Sequence, residues 1–365
     1  MTIGDTEVWT VDQARQRARE LQSQIDQGRD PRQVKRERIA ADTAAMEEAK
    51  NNAEPALIAW HAYIKARSGK WRERHIASHE GMSRDGGRPV TQGRRIGAPA
   101  FTEPGVLRPL LDCPLREITR TRVAGWLSAE GARRPAQARL ALSLLSTFLD
   151  WCSNQSAYKN QVNPNACARL KRDLPKPAAR TDCLQREQLA PWFAAVRAIN
   201  NPVISAYLQV LLLTGARREE LAGLGWGDVD FQWKTIHIAD KVEDAGRTIP
   251  LTPYVGQLLQ SLQKINKWVF ASKRAKSGRL QEPRKAHNQA IKTAGLPPLS
   301  IHGLRRSFAT LSEWVEAPSG ITAQIMGHKP SAIAERHYKR RPVDLLRVWH
   351  AKIEAWILTE VGINK

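Results

Sequence analysis

Residues 204–221 read ISAYLQVLLLTGARREEL, and the order of apolar and charged residues in this stretch decides how the second half of the chain folds. The run 204–213 is apolar on every side, which predicts a helix inside a core rather than on a surface. Thr214-Gly215 stops it, because glycine accepts the left-handed turn that ends helices. Arg217 follows at once, and Glu220 and Leu221 begin the next helix. Working outward, KTIHIAD (234–240) and GRTIPLT (246–252) carry alternating β-branched residues around a short polar turn, which predicts an antiparallel hairpin. Helices are expected over 254–266, 302–315 and 343–358. In the last, Leu346, Trp349, Ile353 and Trp356 or Ile357 recur at a spacing of three to four and give one large apolar face.

Upstream, the chain is helical. Residues 54–170 carry an apolar helix with Leu57, Ile58, Trp60, Tyr63 and Ile64, a Gly-, Pro- and Arg-rich loop between about 83 and 104, and two amphipathic helices, LREITRTRVAGWL and ARLALSLLSTFLDWC. The segment 171–181, with its prolines and basic residues, reads as a linker. Residues 1–52 form a charged helical segment. Thr10-Val-Asp-Gln13 is a capping-box pattern, Asp30-Pro31 starts a second helix, and Asn51-Asn52 is the expected boundary. The expected fold class is α+β, mainly helical, with a helical domain at 54–170 and a mixed α/β domain at 182–365.

The chain has 365 residues, with 57 Lys plus Arg against 36 Asp plus Glu, a formal net charge of +21. An excess of that size favours a polyanionic partner, because each phosphate neutralised releases condensed counterions. Cys113, Cys152, Cys167 and Cys183 have neither CxxC nor zinc spacing and read as reduced thiols. The first residues lack the basic start and apolar run of a secretory signal, and no stretch approaches the ~20 apolar residues of a membrane span. An intracellular protein, in the bacterial cytoplasm or nucleoid, is expected.

Several polar residues stand where neither a core nor a loop requires them. Arg217 lies in TGARREEL. His302 and Arg305 lie one helical turn apart in HGLRRSFATL. His328 is in IMGHK and Tyr338 in AERHYKRR. Singly, each has an ordinary use: a helix-start histidine is usually a cap, a tyrosine usually packs, and an arginine usually pairs at the surface. Arg218, Arg306, His337 and Arg340 read equally as phosphate contacts or solvated charges.

As an ordered set, TGxRxxEL, a hairpin lysine, HxLR, GH and a tyrosine about ten residues later resemble the catalytic signature of the tyrosine recombinases, the phage integrase family. The resemblance is sharpest over 182–350. It implies a site of Arg217, Lys241, His302, Arg305, His328 and Tyr338, with Glu220 as a supporting acid. Within the hairpin, Lys234 competes with Lys241, whose neighbours Asp240, Glu243 and Asp244 make the turn acidic. Residues 54–170 look like the helical core-binding domain that closes with the catalytic domain into a C-shaped clamp on DNA. Residues 12–50 are similar to the end of the arm-binding region of satellite-phage integrases. Those relatives carry a small β-rich module that is not seen here, so either the start is truncated or arm sites have been dispensed with.

The implied reaction is site-specific recombination. Tyr338 attacks a DNA phosphodiester, leaving a 3′-phosphotyrosyl link and a free 5′-hydroxyl, and a second strand's hydroxyl reverses the step. The bond energy is conserved, so no cofactor is expected. Two arginine forks in place of a metal imply no metal either. Double-stranded DNA is the implied partner, with a homotetramer on synapsed duplexes, a monomer without DNA, and accessory DNA-bending or directionality proteins. The alternatives are a decayed accessory DNA-binding protein and a type IB topoisomerase-like enzyme. In the family the terminal helix docks into a neighbouring protomer. Pro342 separates 344–358 from the tyrosine segment, so truncation after Arg341 is expected to leave a soluble monomer that binds a half-site but does not assemble cooperatively on a full site; the alternative is a helix that packs back on its own catalytic domain.

Overall fold

The computed structural model describes residues 9–28, 30–90, 99–175, 178–239, 246–328 and 341–363, apart from the side chains of 44–52. Lys241, His337, Tyr338 and Arg340 lie outside the described residues. The chain divides into two compact units, Met1–Ala178 and Ala179–Lys365. Among the described residues no helix is long and apolar enough to cross a membrane.

The first unit is helical. Its core is built by the helices Ala56–Ser68, Arg108–Leu111, Arg120–Arg133 and Pro135–Ser153, with Glu73–Ser83 alongside. Thr119 caps the third of these by accepting the Arg122 N–H at 3.3 Å, and Pro135 opens the fourth where no N–H donor is needed. Along that last helix Ala138, Ala141, Leu142, Leu145, Phe148, Leu149 and Cys152 recur every three or four residues, and all are buried. Trp60 meets Phe148 edge-on with ring centroids 5.1 Å apart. Ile58 instead faces solvent. Cys113, Cys152 and Cys167 are buried free thiols. Burial pushes Cys152 and Cys167 up to about 12, so both act as packing groups rather than nucleophiles.

Near the N-terminus, Thr10 and Gln13 form the reciprocal capping box of the helix Val11–Asp26, which buries none of its residues. The second helix, Pro31–Ala53, runs through Asn51 and Asn52, so the boundary expected there falls inside a helix. The expected linker also begins too early. Leu170 and Leu174 are buried in the first unit, and Arg139 donates to the carbonyls of Leu174 (2.9 Å) and Pro175 (2.7 Å).

At the centre of the second unit lies the helix Pro202–Thr214, with every residue from Ser205 onward buried. Around it pack Leu189–Arg197, Pro253–Gln260, Arg218–Ala222 and Ile301–Ser312. Gly215 takes a φ of +58° as the helix stop, and a side chain there would strike the Phe308 ring at 2.6 Å. Among the described residues the sheet has three antiparallel strands in the order β1 (Val229–Asp230), β2 (Thr235–Ile238) and β3 (Arg247–Pro250), with Ile238 opposite Arg247 and Thr235 opposite Pro250.

The C-terminal helix, Val343–Glu360, corrects the expectation of a detachable element. Leu346, Ile353, Ile357 and Leu358 are buried, and the first three belong to the core of their own unit. The helix lies against β3 and the helix Ser319–Met326. Two polar residues fix its seat. His350, fully buried, donates through Nε2 to the Leu213 carbonyl at 2.8 Å, and burial drives its imidazole down to about 4, so it is neutral. The carboxylate of Glu354 accepts from the Thr252 hydroxyl and from the N–H groups of Tyr254 (2.9 Å) and Val255 (3.2 Å), capping the start of Pro253–Gln260.

Candidate active site

Arg217 is the N-cap residue of the short helix Arg218–Ala222. Its backbone N–H donates to Glu220 Oε2 at 3.1 Å and its Nη1 to Glu220 Oε1, while Nη2 reaches across the unit to the Gly327 carbonyl at 3.0 Å. The Glu220 side chain is only 4% exposed and holds a second guanidinium: Arg247 Nη2 donates to Oε2 at 2.8 Å. Burial alone would raise the Glu220 carboxyl. The hydrogen bonds from Arg247 and Arg217 outweigh it and hold the group below the usual carboxylate range. Glu220 is therefore charged, and its charge is shared between two arginines.

The helix Ser319–Met326 ends on Gly327, at φ +74°. Three successive carbonyls at this end each accept from a different arginine. Ile325 takes Arg247 Nε (3.1 Å), Met326 takes Arg305 Nη1 (2.7 Å) and Gly327 takes Arg217 Nη2 (3.0 Å). A helix C-terminus presents unpaired carbonyls and the negative end of the backbone dipole, so it can gather cations that would otherwise repel one another. Glycine is required because a side chain at 327 would sit 2.6 Å from Arg247 Nη1, on a backbone that already strains other residues. Arg305 also donates to the Gly215 carbonyl at 2.6 Å, so the glycine that stops the central helix is tied to the same cluster. His328 comes directly after this turn, and its N–H donates to the Ala323 carbonyl at 2.8 Å.

His302 and Arg305 lie on the helix Ile301–Ser312, the arginine buried and the imidazole exposed. Ser300 caps this helix by accepting the Gly303 N–H at 3.0 Å, and its hydroxyl donates to Asp182 Oδ2 at 2.6 Å. Arg306 closes on the Asp182 side chain and donates through Nε to the Asp182 carbonyl at 3.1 Å. The first residues after the linker thus hold the turn that carries His302. Partial desolvation, then Arg306 and Arg305, lowers the His302 imidazole although it reaches solvent, and partial desolvation, then Arg305 and Arg217, lowers His328. In both rings the neighbouring cations disfavour the charged form.

Arg217, Glu220, His302, Arg305 and His328 therefore come together, while Lys241 and Tyr338 lie outside the described residues. Lys234 is at the far end of β2, its carbonyl accepting from Leu251 N–H (2.9 Å) and Arg347 Nη1 (2.7 Å). The end of the hairpin that reaches the cluster is the other one, where Arg247 stands opposite Ile238. Arg306 is committed to Asp182, and Arg218 to Glu219 (3.1 Å) and the Gln281 carbonyl (3.0 Å), so both serve the protein's own framework. Arg247 is absent from the sequence-predicted set. Its signal was the strand alternation: it stands two residues before the buried Ile249, so an inward register requires a charge in the core.

The chain matches the phage integrase family over residues 184–342, the phage integrase core-binding domain over 55–173 and an arm DNA-binding domain over 1–38. It is 48% identical to prophage integrase IntF of Escherichia coli, over 100% of this chain and 80% of that protein. It is 28% identical to the tyrosine recombinase XerC of a Mycobacterium species, over 65% of this chain and 83% of that one. In fold it is similar to a lambda integrase tetramer bound to a Holliday junction, with a TM-score of 0.57 at 17% identity over 86% of this chain and 91% of that chain. It is likewise similar to the Tn1549 transposon integrase in complex with transposon right-end DNA, with a TM-score of 0.60 at 15% identity over 84% of this chain and 100% of that chain. The arginine cluster and its flanking histidines thus sit in a chain that belongs to the phage integrase family, the tyrosine recombinases, which are DNA strand-exchanging enzymes.

Proposed function

We propose that the chain recombines two double-stranded DNA sites as a homotetramer, with Tyr338 as nucleophile and Arg217, Arg305, His302, His328 and Lys241 around the scissile phosphate. The phenol oxygen of Tyr338 bonds to phosphorus and its proton passes to His302. The bond from phosphorus to the 5′-oxygen breaks, and Lys241 protonates that oxygen. Attack by the 5′-hydroxyl of another strand reverses each transfer. Arg217 and Arg305 fork onto the non-bridging oxygens, where negative charge grows, and His328 donates a further hydrogen bond. Glu220 orients Arg217. The lambda integrase tetramer on a Holliday junction supports the assembly by analogy of fold. Accessory DNA-bending or directionality proteins would set the outcome.

The observation that carries these roles is the turn at 325–327, where Arg305 and Arg217 are bonded to adjacent carbonyls with His328 next in sequence. Two guanidiniums fixed side by side are preorganised for one phosphate. Arg217→Lys and Arg305→Lys keep the charge but lose the planar fork. Each should slow single-turnover cleavage by on the order of 10²-fold. Near-normal cleavage by both would remove the clamp.

A pH dependence follows from His302, which must be neutral to take the tyrosine proton. Partial desolvation and the adjacent Arg306 and Arg305 disfavour its charged form, so its pKa in the folded protein lies below 6.5. Measured at DNA concentrations far below saturation, kcat/KM reports the free enzyme. It should hold its plateau as pH falls through 6.5 and decline only beneath it. An acid limb centred above 6.5 would exclude His302 in this state as the base.

A further inference from the structure

We propose that Arg247 is a positioning residue of the strand-transfer site, holding Glu220 and the 325–327 turn so that Arg217 can serve the phosphate. Its guanidinium donates to Glu220 Oε2 at 2.8 Å and to the Ile325 carbonyl at 3.1 Å, and it lies against the bare face of Gly327. Its Nε and Nη2 are committed to the Ile325 carbonyl and to Glu220, so it acts through these neighbours. Glu220 and the phosphate compete for Arg217. A buried carboxylate with one cationic partner would draw that partner inward as fully as geometry allows. With Arg247 sharing the charge, Arg217 need not give both ends of its fork to Glu220. The second anchor acts on the other side of the site, because Ile325 begins the series of carbonyls that also holds Arg305 and Arg217. Arg247 opens β3, so it also joins this turn to the foot of the hairpin whose sequence continues to Lys241.

This assignment rests on the catalytic roles proposed above, and its test separates the two. Arg247→Met, Glu220→Gln, the double variant and Tyr338→Phe would be compared for half-site affinity and for single-turnover cleavage of a nicked suicide substrate. Arg247→Met should cleave on the order of 10²-fold more slowly, as for loss of a transition-state donor. Its DNA affinity should stay within about threefold, because the group makes no phosphate contact. The double variant should be no more than about threefold slower than the slower single variant, because both changes break one unit. Removing both partners also leaves no buried unpaired charge, so the double variant tests the idea even if Arg247→Met fails to fold. In that case it should equal Glu220→Gln. Near-normal cleavage by Arg247→Met, affinity falling in step with rate, or losses that multiply in the double variant would overturn the assignment. A covalent adduct surviving in Tyr338→Phe would instead overturn the catalytic roles themselves.

Discussion

Tyr338→Phe should abolish strand cleavage and leave DNA binding nearly intact. The substitution removes one oxygen, and in the proposed reaction that oxygen makes the new bond to phosphorus, so no partial activity is available from a better-placed neighbour. Binding has a different origin. A chain with a net charge of +21 gains most of its affinity from neutralising phosphates, to which a phenol hydroxyl adds little. Arg217 and Arg305 are bonded to Glu220 and to the carbonyls of Gly215, Met326 and Gly327. A gel shift on a half-site at fixed salt, beside covalent trapping on a suicide substrate, separates the two properties. Loss of both together would mean that Tyr338 shapes the binding surface.

Truncation after Arg341 should destroy the catalytic unit rather than trim it. The lost segment carries Leu346, Ile353, Ile357 and Leu358, all buried. Each aliphatic side chain of this size is worth roughly 1.5–3 kcal/mol, so their removal costs on the order of 10 kcal/mol. That is comparable to the entire ~5–15 kcal/mol margin of a folded domain. The start of Pro253–Gln260 would also lose the Glu354 carboxylate that caps it, and the Leu213 carbonyl would lose its donor from His350. The truncated protein should therefore be insoluble or show no cooperative melting of residues 179–341. A soluble, cooperatively folded truncation would show that the helix is dispensable to its own subunit.

The contrast between these two regions marks what the sequence could convey. The central helix was legible because an apolar run closed by Thr214-Gly215 has one physical solution, and the hairpin because its β-branched residues alternate. Arg217, His302, Arg305 and His328 were legible as motifs, although nothing in their spacing showed that Ile325, Met326 and Gly327 would offer one carbonyl to each of three arginines. The helices Leu189–Arg197, Arg284–Thr293 and Ser319–Met326 went unread. They are short, and the last carries Gly320 in its first turn, so pattern was weak where tertiary packing decided. In the C-terminal helix the spacing found the apolar face but not its centre. His350 and Glu354 are buried because each has a specific partner, while Trp349 and Trp356 pack at the edge. Periodicity cannot foresee a polar group that finds its hydrogen bond inside.

The central claim, that this chain cuts DNA through Tyr338, is met most directly by locating the covalent bond. Wild-type protein would be trapped on a nicked suicide substrate and digested with protease, and the nucleotide-linked peptide identified by mass spectrometry. The expected adduct is a peptide spanning Tyr338 joined through its phenol oxygen to a 3′-phosphate, with a free 5′-hydroxyl on the released strand. Attachment at any other residue, or a link to the 5′-phosphate, would contradict it.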